Sequence, residues 1–233
     1  MVSYAVFCWL LPKWKSVKAL TKASRVWAYG AARVFGLKIK IYGNRKSVRG
    51  LVVSNHLSYV DILLLGSIFP LRFSSKSDVA KWPILGWVFR ASRPIWVNRS
   101  SKQASLNIMK EFSETIKNGI NLIAFPEGTT SSGKSDLYPF KSTAFEAAIH
   151  ENIPIYPLLI VYEQDIISWA RDDYTPFFIH VWRVLQLFQI RAELHILETV
   201  APQEGESRKV LCRNIYDIMN KKYREIISLK NRG

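Results

Sequence analysis

Along the chain the spacing of apolar positions switches repeatedly between the period of a strand and that of a helix. Short apolar or alternating runs at 37–42, 51–53, 95–97, 122–125, 155–161 and 192–197 predict strands. Residues 102–117, closed by Asn118-Gly119, predict an amphipathic helix with Leu106, Met109, Phe112 and Ile116 on its buried face. A longer helix from about 207 to 229 turns Leu211, Ile215, Ile218, Met219 and Ile226 inward, and a short one over 142–149 leaves His150 at the surface near its C-terminus. Strands alternating with helices imply an α/β fold: one domain, with a mixed, mostly parallel sheet flanked by helices. A chain of 233 residues, 48% hydrophobic and without repeats or a linker, is long enough for one well-buried domain of this kind.

Two stretches stand outside that alternation. Residues 174–189, with Trp182, Leu185, Leu187 and Phe188, are more apolar than a surface loop needs, and core packing is the expectation. A groove for an apolar ligand or a membrane-facing surface is the other reading. At the N-terminus Lys13, Lys15, Lys18, Lys22, Arg25, Arg33, Lys38, Lys40, Arg45, Lys46 and Arg49 all precede the first acidic residue, Asp61, and carry much of the net charge of +15. Large apolar and aromatic residues such as Trp9, Trp14, Trp27, Tyr29 and Phe35 are interleaved with them, which suits an anionic membrane surface better than nucleic acid. A spanning helix needs roughly 20 apolar residues, and Pro12, Arg25 and Arg33 interrupt any such run. Residues 1–35 are therefore expected to form one or two interfacial amphipathic helices ahead of a catalytic domain over 36–233. Helices capping the core are the plainer alternative. The start lacks the basic region and cleavage site of a secretory signal.

The candidate chemistry lies in two segments. Asn55-His56-Leu57-Ser58-Tyr59-Val60-Asp61 places an imidazole five residues before a carboxylate. Histidine can accept a proton and return it near neutral pH, and a carboxylate on its far ring nitrogen fixes the tautomer and stabilises the imidazolium. On one continuous helix, positions five apart point about 140° away from each other. His56 is therefore expected in the turn between strand 51–53 and an apolar helix over 61–65, with Ser54, Asn55 and Ser58 as cap candidates. A histidine merely satisfied beside a helix cap has the same composition. In the second segment a strand is stopped by Pro126 and turned at Gly128, and Thr129, Thr130, Ser131 and Ser132 then crowd donors into one loop suited to an anion or a glycerol hydroxyl. A surface turn is its ordinary reading.

With Pro94-Ile95-Trp96-Val97-Asn98-Arg99 between these segments and Ile153-Pro154-Ile155-Tyr156-Pro157 after them, four blocks stand in a fixed order. That order resembles the glycerolipid acyltransferases, the family that includes 1-acyl-sn-glycerol-3-phosphate acyltransferase, over roughly residues 50–160. The resemblance implies acyl transfer from acyl-CoA or acyl carrier protein to a lysolipid hydroxyl, with no metal or other cofactor and no acyl-enzyme. In it His56 is the base and Asp61 its orienting partner. Arg99 would clamp the acceptor's phosphate, a solvated charge at a strand end being its ordinary reading, and Asn98 beside it would belong to the acceptor site, while Glu127, Gly128, Thr129 and Thr130 shape the pocket. The resemblance also implies peripheral or monotopic association with the cytoplasmic face of a membrane, most naturally a bacterial inner membrane.

Two positions depart from the family pattern. Thr130 stands where many members have arginine, which leaves the acceptor open between lysophosphatidate and a lyso-aminolipid such as lyso-ornithine lipid; Lys134 and Lys141 are near enough in sequence to supply the missing charge. Arg93 stands where a glycine is usual. The competing class is a membrane-surface binding protein that kept the fold without the chemistry. A nucleic-acid binder is disfavoured by the tryptophans and by the lack of a helix-turn-helix or zinc spacing. Cys8 and Cys212 sit at opposite ends, and the four histidines show no metal-ligand spacing.

Overall fold

Strands that are apolar at every position belong inside a sheet covered on both faces. The computed structural model describes residues 10–45, 48–76, 90–97, 102–134, 136–170 and 173–230. In chain order its strands are β1 (Leu37–Tyr42), β2 (Leu51–Ser54), β3 (Leu71–Lys76), β4 (Ile95–Val97), β5 (Asn121–Ala124), β6 (Ile155–Tyr162) and β7 (Ile190–Ile196). They form one sheet in the order β1-β7-β6-β2-β5-β3-β4, parallel at every pairing except β6 with β7. The fully buried β2 and β6 lie side by side near its centre.

The helices are α1 (Lys13–Val34), α2 (Val60–Ile68), α3 (Lys102–Lys117), α4 (Thr143–His150), α5 (Phe177–Leu185) and α6 (Arg208–Lys230). Because strand side chains alternate, Leu51 and Val53 meet Phe112, Phe145, Ile215 and Tyr223 of α3, α4 and α6 on one face. Val52 meets Leu64, Leu65 and Val184 of α2 and α5 on the other. The result is a three-layer α/β domain. Helix α1 buries Val17, Leu20, Ala28 and Ala32, and the Ala28 methyl would stand only 3.1 Å from a Cβ at Gly66, so small residues set the close approach of α1 to α2. No described helix is long and apolar enough to cross a membrane. On its outer side α1 leaves Val26, Tyr29 and Val34 exposed.

Several expectations need correction. Leu106 and Ile218 are exposed, not inward; in α3 the buried series runs through Ile108, Phe112 and Ile116, which puts Leu106 about a third of a turn off the buried face. Core packing of 174–189 holds only for part of the stretch: Val184 is buried and Leu187 packs against the core, but Phe178, Ile179, Trp182, Leu185 and Phe188 are exposed. Strand β3 was not anticipated, because Arg72 and Ser74-Ser75-Lys76 read as polar. Arg72 is in fact buried, donating to Arg93 O at 3.0 Å and Thr115 Oγ1 at 2.6 Å and pairing with Glu111 at 2.8 Å, which also takes Lys13 at 2.8 Å. That network ties α1, β3 and α3 together. Arg72→Met is expected to lower unfolding stability by about 1–3 kcal/mol, since it takes the buried donor from Arg93 O and Thr115 Oγ1 and leaves Glu111 with Lys13 alone; an unfolding free energy in urea within about 0.5 kcal/mol of the wild type would show that the network contributes nothing. Arg93 itself takes a φ of 50°, the left-handed region where glycine sits without strain, at the position where the family pattern has glycine.

Candidate active site

Because β2 and β5 are parallel neighbours, the segments that leave their carboxyl ends emerge at the same edge of the sheet, where ligands of open α/β sheets bind. Residues 55–59 follow β2 and residues 125–131 follow β5. Ser131 N donates to His56 O at 2.9 Å and joins the two loops. Of the cap candidates, Ser58 Oγ accepts from Val60 N at 3.3 Å. Asn55 instead turns into β6, giving and taking hydrogen bonds with the Ile160 backbone at 2.9 and 2.7 Å, which anchors the turn under His56.

Asp61, in the first turn of α2, folds back as its spacing from His56 requires. Its Oδ2 lies 2.8 Å from His56 Nδ1 and accepts Leu57 N at 2.7 Å and Ser58 N at 3.0 Å; its Oδ1 accepts the Tyr162 hydroxyl at 2.8 Å. The Asp61 side chain is 0% exposed, whereas that of His56 is 19% exposed. A carboxylate can only accept, so Nδ1 is the donor and Nε2 keeps its lone pair. Phe125 lies against the imidazole, with ring centroids 4.1 Å apart and planes 18° from parallel, and fixes the ring's tilt. Burial, and then Asp61, push the Tyr162 phenol well above its ordinary range, so it stays a donor. A charge-ready imidazole is thus held from behind on a buried carboxylate, with its edge partly open.

Glu127 lies beneath this pair. Its Oε1 accepts His56 N at 2.8 Å and its Oε2 accepts Tyr138 N at 2.9 Å, so both oxygens serve the backbone of the loops. Burial pushes its carboxyl up to about 7, against the downward pull of the Tyr138 and His56 amides. Glutamine would set an NH₂ against one of those N–H donors, and Glu127→Gln is expected to cost about 1–3 kcal/mol at pH 5. The acid's contribution is fully present below the ordinary value of 4.5 and is lost as pH rises through about 7. The stability gap between wild type and variant should therefore narrow from pH 5 to pH 8 by up to about 3 kcal/mol. Thermal melts across that range test it, and a gap that widens or stays flat would contradict it.

Gly128 has φ +70°, and a Cβ there would stand 2.6 Å from Lys141 Nζ, which places that ammonium against the turn. Thr129 and Thr130 are half-buried on the same loop. Lys134 points elsewhere, to Asp165 at 3.7 Å. Asn98 and Arg99 lie outside the described residues. Tyr162 was missed in the sequence, where the predicted strand 155–161 stops one residue before it; Tyr138 enters only through its backbone and leaves no side-chain signal.

Comparison with known proteins agrees with this architecture. The family model described as Acyltransferase matches residues 38–161, more than half of the chain, and the chain belongs to that family. It is 30% identical over 195 residues to a lyso-ornithine lipid O-acyltransferase of Pseudomonas aeruginosa, covering 82% of this chain and 74% of that protein. It is 32% identical to a lyso-ornithine lipid O-acyltransferase of Rhodobacter capsulatus, over 66% of this chain and 58% of that protein. With a 1-acyl-sn-glycerol-3-phosphate acyltransferase of Neisseria gonorrhoeae it shares 28% identity, over 69% of this chain and 64% of that one. The crystal structure of the 1-acyl-sn-glycerophosphate (LPA) acyltransferase PlsC from Thermotoga maritima has the same fold, with a TM-score of 0.67 and 22% identity over 97% of this chain and 88% of that one.

Proposed function

We propose that this protein transfers a fatty acyl group from an acyl thioester, acyl-CoA or acyl carrier protein, to the free hydroxyl of a lysolipid, with His56 as general base. The observation that carries the reading is the 2.8 Å contact of His56 Nδ1 with a fully buried Asp61, with the ring edge partly open where β2 and β5 end. The acceptor hydroxyl gives its proton to Nε2 as its oxygen attacks the thioester carbonyl. The tetrahedral adduct collapses with cleavage of the C–S bond, and the imidazolium protonates the departing thiolate. Asp61 stabilises the imidazolium between the two transfers.

Of the two acceptors left open by the sequence, 1-acyl-sn-glycerol-3-phosphate is the first reading, giving phosphatidic acid as product; Lys141 against Gly128 supplies a cation beside the loop. A lyso-aminolipid is the second, favoured by Thr130 in place of arginine and by Lys134 being turned toward Asp165. Transfer of labelled acyl chains to a panel holding lysophosphatidate, lyso-ornithine lipid and lysophosphatidylcholine distinguishes them. A protein that binds anionic vesicles but transfers to none of the acceptors would be the non-catalytic binder instead. The basic segment before Asp61 suits a membrane whose cytoplasmic face is anionic.

A further inference from the structure

Helix α5 carries apolar residues on both of its sides. Inward, Phe177 meets the Tyr59 ring at 5.1 Å and His180 Nδ1 lies 3.2 Å from the Tyr59 hydroxyl, while the backbone N–H of the preceding Trp169 donates to Leu57 O at 2.9 Å. Tyr59 and Leu57 belong to the loop between His56 and Asp61, so α5 is seated on the loop that holds the dyad. Outward, Phe178, Ile179, Trp182 and Leu185 fall within about 120° around the helix axis. Phe178 is 64% and Trp182 65% exposed, and the flanking Tyr174 and Phe188 are 96% and 99% exposed.

What covers this face can be read from its surroundings. Phe188 O would stand 2.8 Å from a Cβ at Gly36, and Ile190 N donates to Gly36 O, so the face runs on into the end of α1, where Val34 is exposed beside Arg33. Arg183 borders it on α5, while Asp173 is tied back to Thr175 N at 2.8 Å. Tryptophan and tyrosine amid aliphatic groups, bordered by arginines on a chain of net charge +15, match the headgroup region of an anionic bilayer in both polarity and charge.

We propose that α5, with Tyr174 and Phe188, is an interfacial helix that inserts its outward face into an anionic bilayer and so holds the His56 loop against the lipid surface. This contact is separate from any made by residues 1–35. It gives a physical reason for acceptor access in the acyl-transfer reading, but vesicle binding is measured without turnover, so the two can fail independently.

The test uses the full chain and sucrose-loaded vesicles of phosphatidylcholine with phosphatidylglycerol. Phe178→Ser, Trp182→Ser and Phe188→Ser, combined, are expected to weaken partitioning at least about tenfold, since three exposed side chains lose their transfer into lipid. In vesicles containing brominated phosphatidylcholine, wild type should lose more tryptophan fluorescence than Trp182→Phe, a measurement that stands even if the triple variant misfolds. Unchanged partitioning of a folded triple variant, or equal quenching of wild type and Trp182→Phe, would overturn the proposal. So would a wild-type dimer that the triple substitution dissociates without altering vesicle binding, because the face would then belong to a second copy of the chain.

Discussion

His56→Ala is expected to lower kcat for acyl transfer by about 10²- to 10⁴-fold, the usual effect of losing one general base. The fold should survive. The loop's attachments run through the His56 backbone, whose N–H goes to Glu127 and whose carbonyl accepts from Ser131, and neither contact needs the ring. The lost side chain is partly exposed, and Phe125 loses only its stacking partner. The expected signature is therefore a collapse of kcat with KM little changed and the same melting temperature within a few degrees. Acyl-thioester turnover on the best acceptor, with circular dichroism on the same samples, measures both. Activity within about threefold of wild type would remove His56 from the chemistry.

Asp61→Asn is expected to cost a similar factor by a different route. An amide oxygen at the Oδ2 position can still accept from Leu57 N, Ser58 N and His56 Nδ1, and the Tyr162 hydroxyl can turn to accept from the new NH₂. The ring would keep its place while the negative charge behind it disappears. Charge stabilisation of the imidazolium is then the only thing removed, and kcat should fall by about 10²- to 10⁴-fold. Asp61→Ala should be worse for folding, since it orphans a buried tyrosine hydroxyl and two backbone donors at about 1–3 kcal/mol each. A variant Asp61→Asn that keeps its kcat would mean that the carboxylate only holds the loop.

The dyad could be read from the sequence because its partners lie five residues apart, and a strand before them and an apolar helix after them leave one turn in which they can meet. The strand order could not, yet five of the seven strands were legible to within a residue, because buried strands are unbroken apolar runs and β1 alternates apolar residues with lysine. Legibility failed where a polar residue is buried or an apolar one exposed. Arg72 hid β3, since a buried guanidinium is recognised only through Glu111 and Thr115, which come from α3. The outward face of α5 hid for the opposite reason: its apolar content signals burial, and nothing local says that the burying phase is outside the protein. Tyr162 reaches Asp61 from 101 residues away, a pairing that only the β2–β6 register creates. The Glu127 motif was visible, but the use of both its oxygens on the backbone of His56 and Tyr138 depends on how two loops meet.

The acyl-transfer reading and the face of α5 converge on one arrangement. His56 sits where strands end, and the loop that carries it is braced by a helix whose outer side is apolar. Such an enzyme would take its acceptor from the bilayer and its thioester from the aqueous side, with the His56 ring edge at the boundary between them.

The most direct measurement of whether His56 and Asp61 work as one device is the kcat of His56→Ala, Asp61→Asn and the double variant on a single acceptor. If the carboxylate acts only through the imidazole, the double variant should turn over no more slowly than His56→Ala alone, because groups that act as a unit are not additive. Losses that multiply would mean that the two side chains contribute separately, and the base mechanism built on their contact would be wrong.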